Sequence, residues 1–200
     1  WMDLSGNGND LTKTNPGTIL HDQTNSLLNF NLSGMESVEK FEHQSIYIVH
    51  KITTNGDYFI DLRDSSHSVE GYVFDWGNNF ETGTWFDSLI VNGSSQQSNS
   101  SGRFDVTDTI FNSQKQITTL TGSSTLNTSF DLSQRHSNTQ QSSGEFYEVL
   151  VFSNKLSPED HAKVQAYLAT KWGLESTVDS DGDGLVDADD TDADGDGVID

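Results

Sequence analysis

Residues 45–51, SIYIVHK, are the stretch on which the fold turns. In an extended chain Ile46, Ile48 and His50 share one face and Tyr47, Val49 and Lys51 the other, because successive side chains alternate. Toward its middle the strand is apolar on both faces, which predicts a central position covered on either side. Outward from it, Leu27–Asn31, Tyr58–Leu62, Gly71–Asp75, Trp85–Val91, Gln116–Thr121, Ser129–Ser133 and Glu145–Phe152 are short β-branched and aromatic runs, divided by Gly, Asn, Ser and Asp clusters. Such a series is the signature of an all-β sandwich or barrel, and eight strands suit a jelly-roll sandwich. Between two of the runs, NGSSQQSNSSG (92–102) is polar and of low complexity and reads as a mobile loop, either a ligand-facing rim or slack.

One helix is expected near the C-terminal end. Ser157 can cap it, Pro158 suits its first turn, Glu159 and Asp160 favour its positive end, and Gly173 stops it after Lys171. Val164, Leu168 and Trp172 recur at helical spacing and form a stripe to pack on the sheet. After Glu175 the apolar content collapses, placing a boundary near Ser176.

The net charge is −21, and the last 22 residues hold ten aspartates and no basic residue. An acidic chain repels phosphate backbones and anionic headgroups, so nucleic acid is not an expected partner. No apolar run approaches the roughly 18 residues of a membrane span, so membrane insertion is not expected either. Cysteine is absent, which excludes disulfides, thiolate metal sites and a cysteine nucleophile. Extracellular bacterial domains often use calcium where others use disulfides, and the composition points to a secreted or cell-surface bacterial setting.

The aspartates are in phase. Asp179, Asp181, Asp183, Gly184, Asp187 and Asp190 fall at positions 1, 3, 5, 6, 9 and 12 of an oxygen-ligand loop, with the Leu185 carbonyl at position 7. Asp192, Asp194, Asp196, Gly197 and Asp200 repeat its start thirteen residues later. A hard cation wants six to eight oxygens and the glycine permits the sharp bend, so Ca2+ is expected in preference to magnesium. A disordered acidic tail would not keep this phase. The two loops stand too close together to admit the flanking helices of a helix-loop-helix site.

The Asp179–Asp200 residues resemble thrombospondin type 3 repeats, which wrap the chain around calcium as a stiff connector. GEFYEVLVFSNKLSPEDHAKVQAYLATKWGL (Gly144–Leu174) resembles the closing strand and helix of bacterial laminin G-like, concanavalin A-like jelly-roll domains. WMDLSGNGNDL (Trp1–Leu11) is similar to the Gly-Asn-rich turn near the start of that family. The resemblance implies a laminin G-like domain over residues 1–175 and calcium-binding repeats over 176–200. Because the family places a strand before that turn, it also implies a domain truncated at its N-terminus, with an unpaired sheet edge and a gap in the core. For Trp1, Asp3, Asn7 and Asn9, tight turns about Gly6 and Gly8 are expected ahead of a ligand site.

Catalysis is not expected. β-Glucanases of the concanavalin A-like fold need carboxylates at i, i+2 and i+4 on one strand face, and residues 1–178 contain no such triplet. Glu145 and Glu148 have an odd separation, which in a regular strand sends them to opposite faces. His21, His43, His50, His67, His136 and His161 are scattered, without metal-ligand or triad spacing. Tyr72, Phe74, Trp76, Phe80, Trp85 and Phe86 read as core before sugar platform, with Trp76 beside Gly77 and Asn78 the best exposed candidate. The expected function is a non-catalytic, adhesin-like binding module with a carbohydrate or protein ligand at the jelly-roll loops. The alternatives are an accessory module of a secreted hydrolase and a structural spacer.

Overall fold

The computed structural model describes residues 1–14, 17–53, 58–63, 71–76, 79–107, 109–135 and 140–199, with backbone alone for 74–76 and 79–81. In chain order the strands are β1 (Leu11–Lys13), β2 (Thr18–Asp22), β3 (Leu27–Asn31), β4 (Met35–Ser37), β5 (Phe41–Ile52), β6 (Tyr58–Asp61) and β7 (Tyr72–Trp76). They continue with β8 (Asn79–Thr82), β9 (Phe86–Val91), β10 (Ser94–Ser95), β11 (Gln116–Thr128), β12 (Asp131–Leu132) and β13 (Gly144–Phe152), followed by helix α1 (Pro158–Trp172). Two antiparallel sheets result, a six-stranded one in the order β1-β4-β12-β6-β7-β8 and a seven-stranded one in the order β10-β9-β11-β5-β13-β3-β2.

β5 lies in the seven-stranded sheet with β11 and β13 on either side. Its Ile46, Ile48 and Ile52 are buried in the core between the sheets, alongside Ile60, Leu132 and Val73 of the opposite layer. Tyr47 and Val49 project from its other face into a second cluster with Leu168 and Ala169 of α1. The chain is therefore all-β in three tiers, sheet, sheet and helix. Each fully buried aliphatic side chain contributes about 1.5–3 kcal/mol to that packing.

The helix begins and ends where its caps dictate. Ser157 is extended (φ −63°, ψ 157°) and its Oγ accepts from the Asp160 amide at 3.1 Å. Gly173 adopts the left-handed conformation at φ 64°. Leu168 is fully buried, with Val164 and Trp172 partly buried beside it.

Five strands lie outside the sequence-predicted set: β1, β2, β4, β8 and β10. All are short, and β1, β2, β8 and β10 are the sheet edges, where pairing rather than composition makes the strand. The 92–102 segment is likewise ordered by pairing. Ser94 and Ser95 form β10 against β9, and Asn99 bonds Arg103 across a turn. At the chain start, the Asp3 carboxylate accepts from the Ser5 and Asn9 amides at 2.8 and 2.9 Å, so this segment is a tight turn about Gly6 and Gly8.

A β-bulge corrects one expectation from strand periodicity. The register of β13 against β5 shifts between Phe146 and Glu148, so Glu145 faces Lys51 and Glu148 faces Val49. Lys51 and Val49 share a face of β5, and the extra residue, Tyr147, thus returns Glu145 and Glu148 to the same side.

Candidate metal centre

The aspartate-rich stretch is fastened to the sandwich where it begins. The Thr177 and Val178 amides donate to the Leu174 carbonyl at 2.8 and 3.1 Å, and Val178 is wholly buried against Leu168 and Leu174. One residue on, the Asp179 amide donates to the Asn92 carbonyl at 3.3 Å. Asn92 in turn accepts from the Ile117 amide through Oδ1 at 2.8 Å, which ties the β9–β10 turn to β11.

From Asp179 the chain coils into a loop whose carboxylates accept from its own backbone. Asp179 takes the Gly182 and Gly184 amides at 2.8 and 3.0 Å, Asp181 the Asp183 amide at 3.1 Å, and Asp183 the Leu185 amide at 2.8 Å. Thirteen residues later three of these four bonds recur: Asp192 takes the Gly197 amide at 3.0 Å, Asp194 the Asp196 amide at 3.1 Å, and Asp196 the Val198 amide at 2.9 Å, while the Gly195 amide donates to the Asp192 backbone carbonyl at 2.8 Å. The glycines keep step, Gly182 and Gly184 at φ 82° and 102°, Gly195 and Gly197 at φ 67° and 85°. Only residues without a Cβ adopt such angles routinely.

Each loop thereby gathers three carboxylates. One oxygen from each of Asp179, Asp181 and Asp183 lies within 4.8 Å of the others, and Asp192, Asp194 and Asp196 meet the same limit. Like charges at about 4 Å repel by about 1 kcal/mol per pair even in water, so such a cluster favours a cation at its centre. Burial raises the Asp181 pKa; the bond from the Asp183 amide opposes the shift, and the charges of Asp183, Asp190 and Asp179 add to it.

Asp187 and Asp190 are placed differently. The Asp187 carboxylate accepts from the Ser180 amide and hydroxyl at 2.8 and 2.7 Å, and burial raises its pKa, with Asp179 and Asp181 adding to the effect. Asp190 accepts from the Asp192 amide at 2.9 Å, joining the end of one loop to the start of the next. Asp200 lies outside the described residues. The loops also touch, since a Cβ on Gly195 would stand 2.8 Å from Asp181 Oδ2. Lys163 of α1 approaches Asp196 Oδ2 at 3.6 Å while bonding Glu159 at 2.9 Å.

Elsewhere among the described residues several titratable groups form structural pairs. Glu148 accepts from the Trp172 indole at 2.6 Å and from Lys171 at 2.8 Å, while Glu145 accepts from the Tyr147 hydroxyl at 2.6 Å. His43 and His50 are buried in the sandwich, His50 Nε2 at 2.8 Å from Thr118 Oγ1, and His161 meets the Tyr47 hydroxyl at 2.8 Å. Trp85 and Phe86 belong to the core; the Trp76 side chain, with Gly77 and Asn78, lies outside the described residues, as do His67 and His136.

Comparison with protein-family models, with curated proteins and with solved structures yields no match.

Proposed function

We propose that this protein is a non-catalytic, extracellular ligand-binding module that binds calcium through its two aspartate loops. The observation that carries the reading is the thirteen-residue repetition of one hydrogen-bonded loop, each copy converging three carboxylates. A charge-driven tail has no reason to repeat its glycine angles and amide bonds in register, whereas a pair of oxygen-ligand loops does. The sandwich is read as a laminin G-like jelly roll presenting a carbohydrate or protein ligand site, and the loops as thrombospondin type 3-like connector repeats. The setting that fits a cysteine-free, acidic chain is a bacterial surface or the surrounding medium.

Calorimetric titration of the intact chain with calcium, and with magnesium as control, tests the metal reading. Calcium is expected to bind, and Asp181→Asn and Asp194→Asn each to remove one loop's share of the heat. The absence of calcium-dependent heat in the parent chain would overturn it. Point variants serve better than truncation after Glu175, since that cut would remove the buried Val178. An array of glycans and peptides, probed with and without calcium, tests the ligand-binding half. Silence in both conditions favours a spacer, a reading that the docking of Val178 and Asp179 onto the sandwich also supports.

A further inference from the structure

Where the last turn of α1 meets the outer face of β13, β3 and β2, a cleft of about 340 Å3 opens. Asp22, Leu27 and Asn29 contribute to it from β2 and β3, and Glu145 and Tyr147 from β13. Trp172 and Lys115 complete it from the helix end and from the residue before β11. These residues span 22–172 of the chain, so only the tertiary fold assembles them. The volume falls within the range of small-ligand sites, about 300–1,000 Å3.

Two features specify what such a cleft takes. The first is aromatic. Tyr147 and Trp172 are half-buried and packed edge to face, ring centroids 5.3 Å apart, and the bulge in β13 aims Tyr147. Both rings sit on rigid elements, which suits a preformed site.

The second is charge that is present in both signs and already compensated. Lys115 donates to the Trp172 carbonyl at the helix C-terminus and lies 4.9 Å and 5.6 Å from the Tyr147 and Trp172 ring centroids. Glu145 accepts from the Tyr147 hydroxyl at 2.6 Å and stands 3.8 Å from Lys51 Nζ. Asp22 accepts from the Thr24 and Asn25 amides and from the Asn25 side chain, at 2.8–3.1 Å. Each of these charges already holds its own partners, so a charged ligand gains no unpaired counter-charge here and meets a like charge besides. A neutral polyol needs no counter-charge, because each hydroxyl both donates and accepts and can join these pairs without breaking them. Asn29 is exposed beside Glu145, its pairing partner across β3 and β13, and its amide offers a donor and an acceptor together. Burial lowers the Lys115 pKa, with Glu145 opposing the shift, as expected for an ammonium held partly out of water.

We propose that this cleft binds a short neutral saccharide, with the C–H groups of a sugar ring against the exposed part of the edge-to-face Tyr147–Trp172 pair and its hydroxyls on Asn29, Glu145 and Lys115. The proposal rests on the ligand-binding reading above and gives it a place and a ligand class.

The test is a nitrogen-15 NMR titration of the full chain in calcium. The probes are cellotriose, xylotriose and mannotriose, with trigalacturonate and the glucosamine trimer as anionic and cationic controls. At least one neutral trisaccharide is expected to shift the Trp172 indole and Asn29 side-chain signals, the charged trimers to leave them in place, and Asn29→Ala to weaken binding about tenfold. Asn29 is exposed, so that variant keeps its fold. No shift at millimolar sugar, equal binding of a charged trimer, or unchanged affinity in the variant would each overturn the proposal. A trisaccharide whose shifts cluster elsewhere, for instance at the β9–β10 turn, would overturn this site while leaving the carbohydrate-binding reading standing. The calcium response of the aspartate loops is read from their own amide signals when chelator is added to the same sample.

Discussion

Gly93 lies directly against the backbone of Asp179: a Cβ on the glycine would stand 1.6 Å from the Asp179 carbonyl oxygen. The first residue of the first aspartate loop is thus seated on the β9–β10 turn, and the two halves of the chain meet backbone to backbone. Gly93 also has φ 80°, so both its conformation and its lack of a side chain are required.

Gly93→Ala should therefore cost more than strain alone, on the order of 1–3 kcal/mol from the backbone plus the displacement of Asp179. Gly102→Ala is the control, since Gly102 has φ 73° but nothing within 4 Å of an added Cβ. Urea unfolding should rank Gly93→Ala as clearly less stable, and hydrogen exchange at the Val178 and Asp179 amides should accelerate in that variant only. Equal stability of the two variants would mean that the close approach contributes nothing.

Calcium should stabilise the sandwich as well as the loops, because Val178 and Asp179 join the two. A ligand that binds only the folded state adds about 2.7 kcal/mol at a hundred times its Kd. Differential scanning calorimetry should show a higher Tm in calcium than in chelator, and Asp183→Ala should reduce the difference. Unchanged calcium affinity in Asp183→Ala would remove that residue from the ligand set.

His43 and His50 predict an acid limb to the stability curve. Burial depresses them from 6.5 to about 4 and about 3, so both are neutral in the fold while the unfolded chain takes up protons below pH 6.5. Their contribution is complete above pH 6.5 and is lost as pH falls toward those values, at about 1.4 kcal/mol per pH unit for each group. Denaturant unfolding of His50→Gln between pH 6.5 and 4 should show a shallower fall than the parent. An identical slope would dismiss His50 as a source.

Asp131 acts in the opposite direction. Burial is the main cause that pushes it up to about 8; Glu36 and Asp61 on the flanking strands add to the shift, while Gln134 and Arg63 oppose it. A raised folded pKa means a contribution fully present below pH 3.8 and lost as pH rises toward about 8. Above pH 6.5 the histidine contribution is constant, so the fall between pH 6.5 and 8 isolates Asp131. Asp131→Asn, which retains an acceptor for the Gln134 amide 2.7 Å away, should abolish that fall. A parent chain whose stability is flat over this interval would refute the assignment.

The parts legible in the sequence are those set by neighbours along the chain. SIYIVHK announces a strand buried on both faces because alternation is a property of the backbone alone, and β5 has a face in each apolar cluster. The helix limits follow from Ser157, Pro158 and Gly173 for the same reason, since caps satisfy local amides and carbonyls. The aspartate phasing is equally local, and the paired loops share three of their carboxylate–amide bonds at matching positions through Asp196.

Other features depend on register between distant segments and arise only in the folded chain. A single bulge at Tyr147 reversed the expected faces of Glu145 and Glu148, because one inserted residue changes the parity of every side chain beyond it. The Glu36, Asp131 and Asp61 row exists only because β4, β12 and β6 pair in one alignment. The docking of Asp179 on Gly93, and the cleft that gathers Asp22, Lys115, Glu145 and Trp172, likewise arise from packing of elements far apart in the chain. Periodicity carries information over a few residues, whereas burial and electrostatics are set by whichever segments the core brings together.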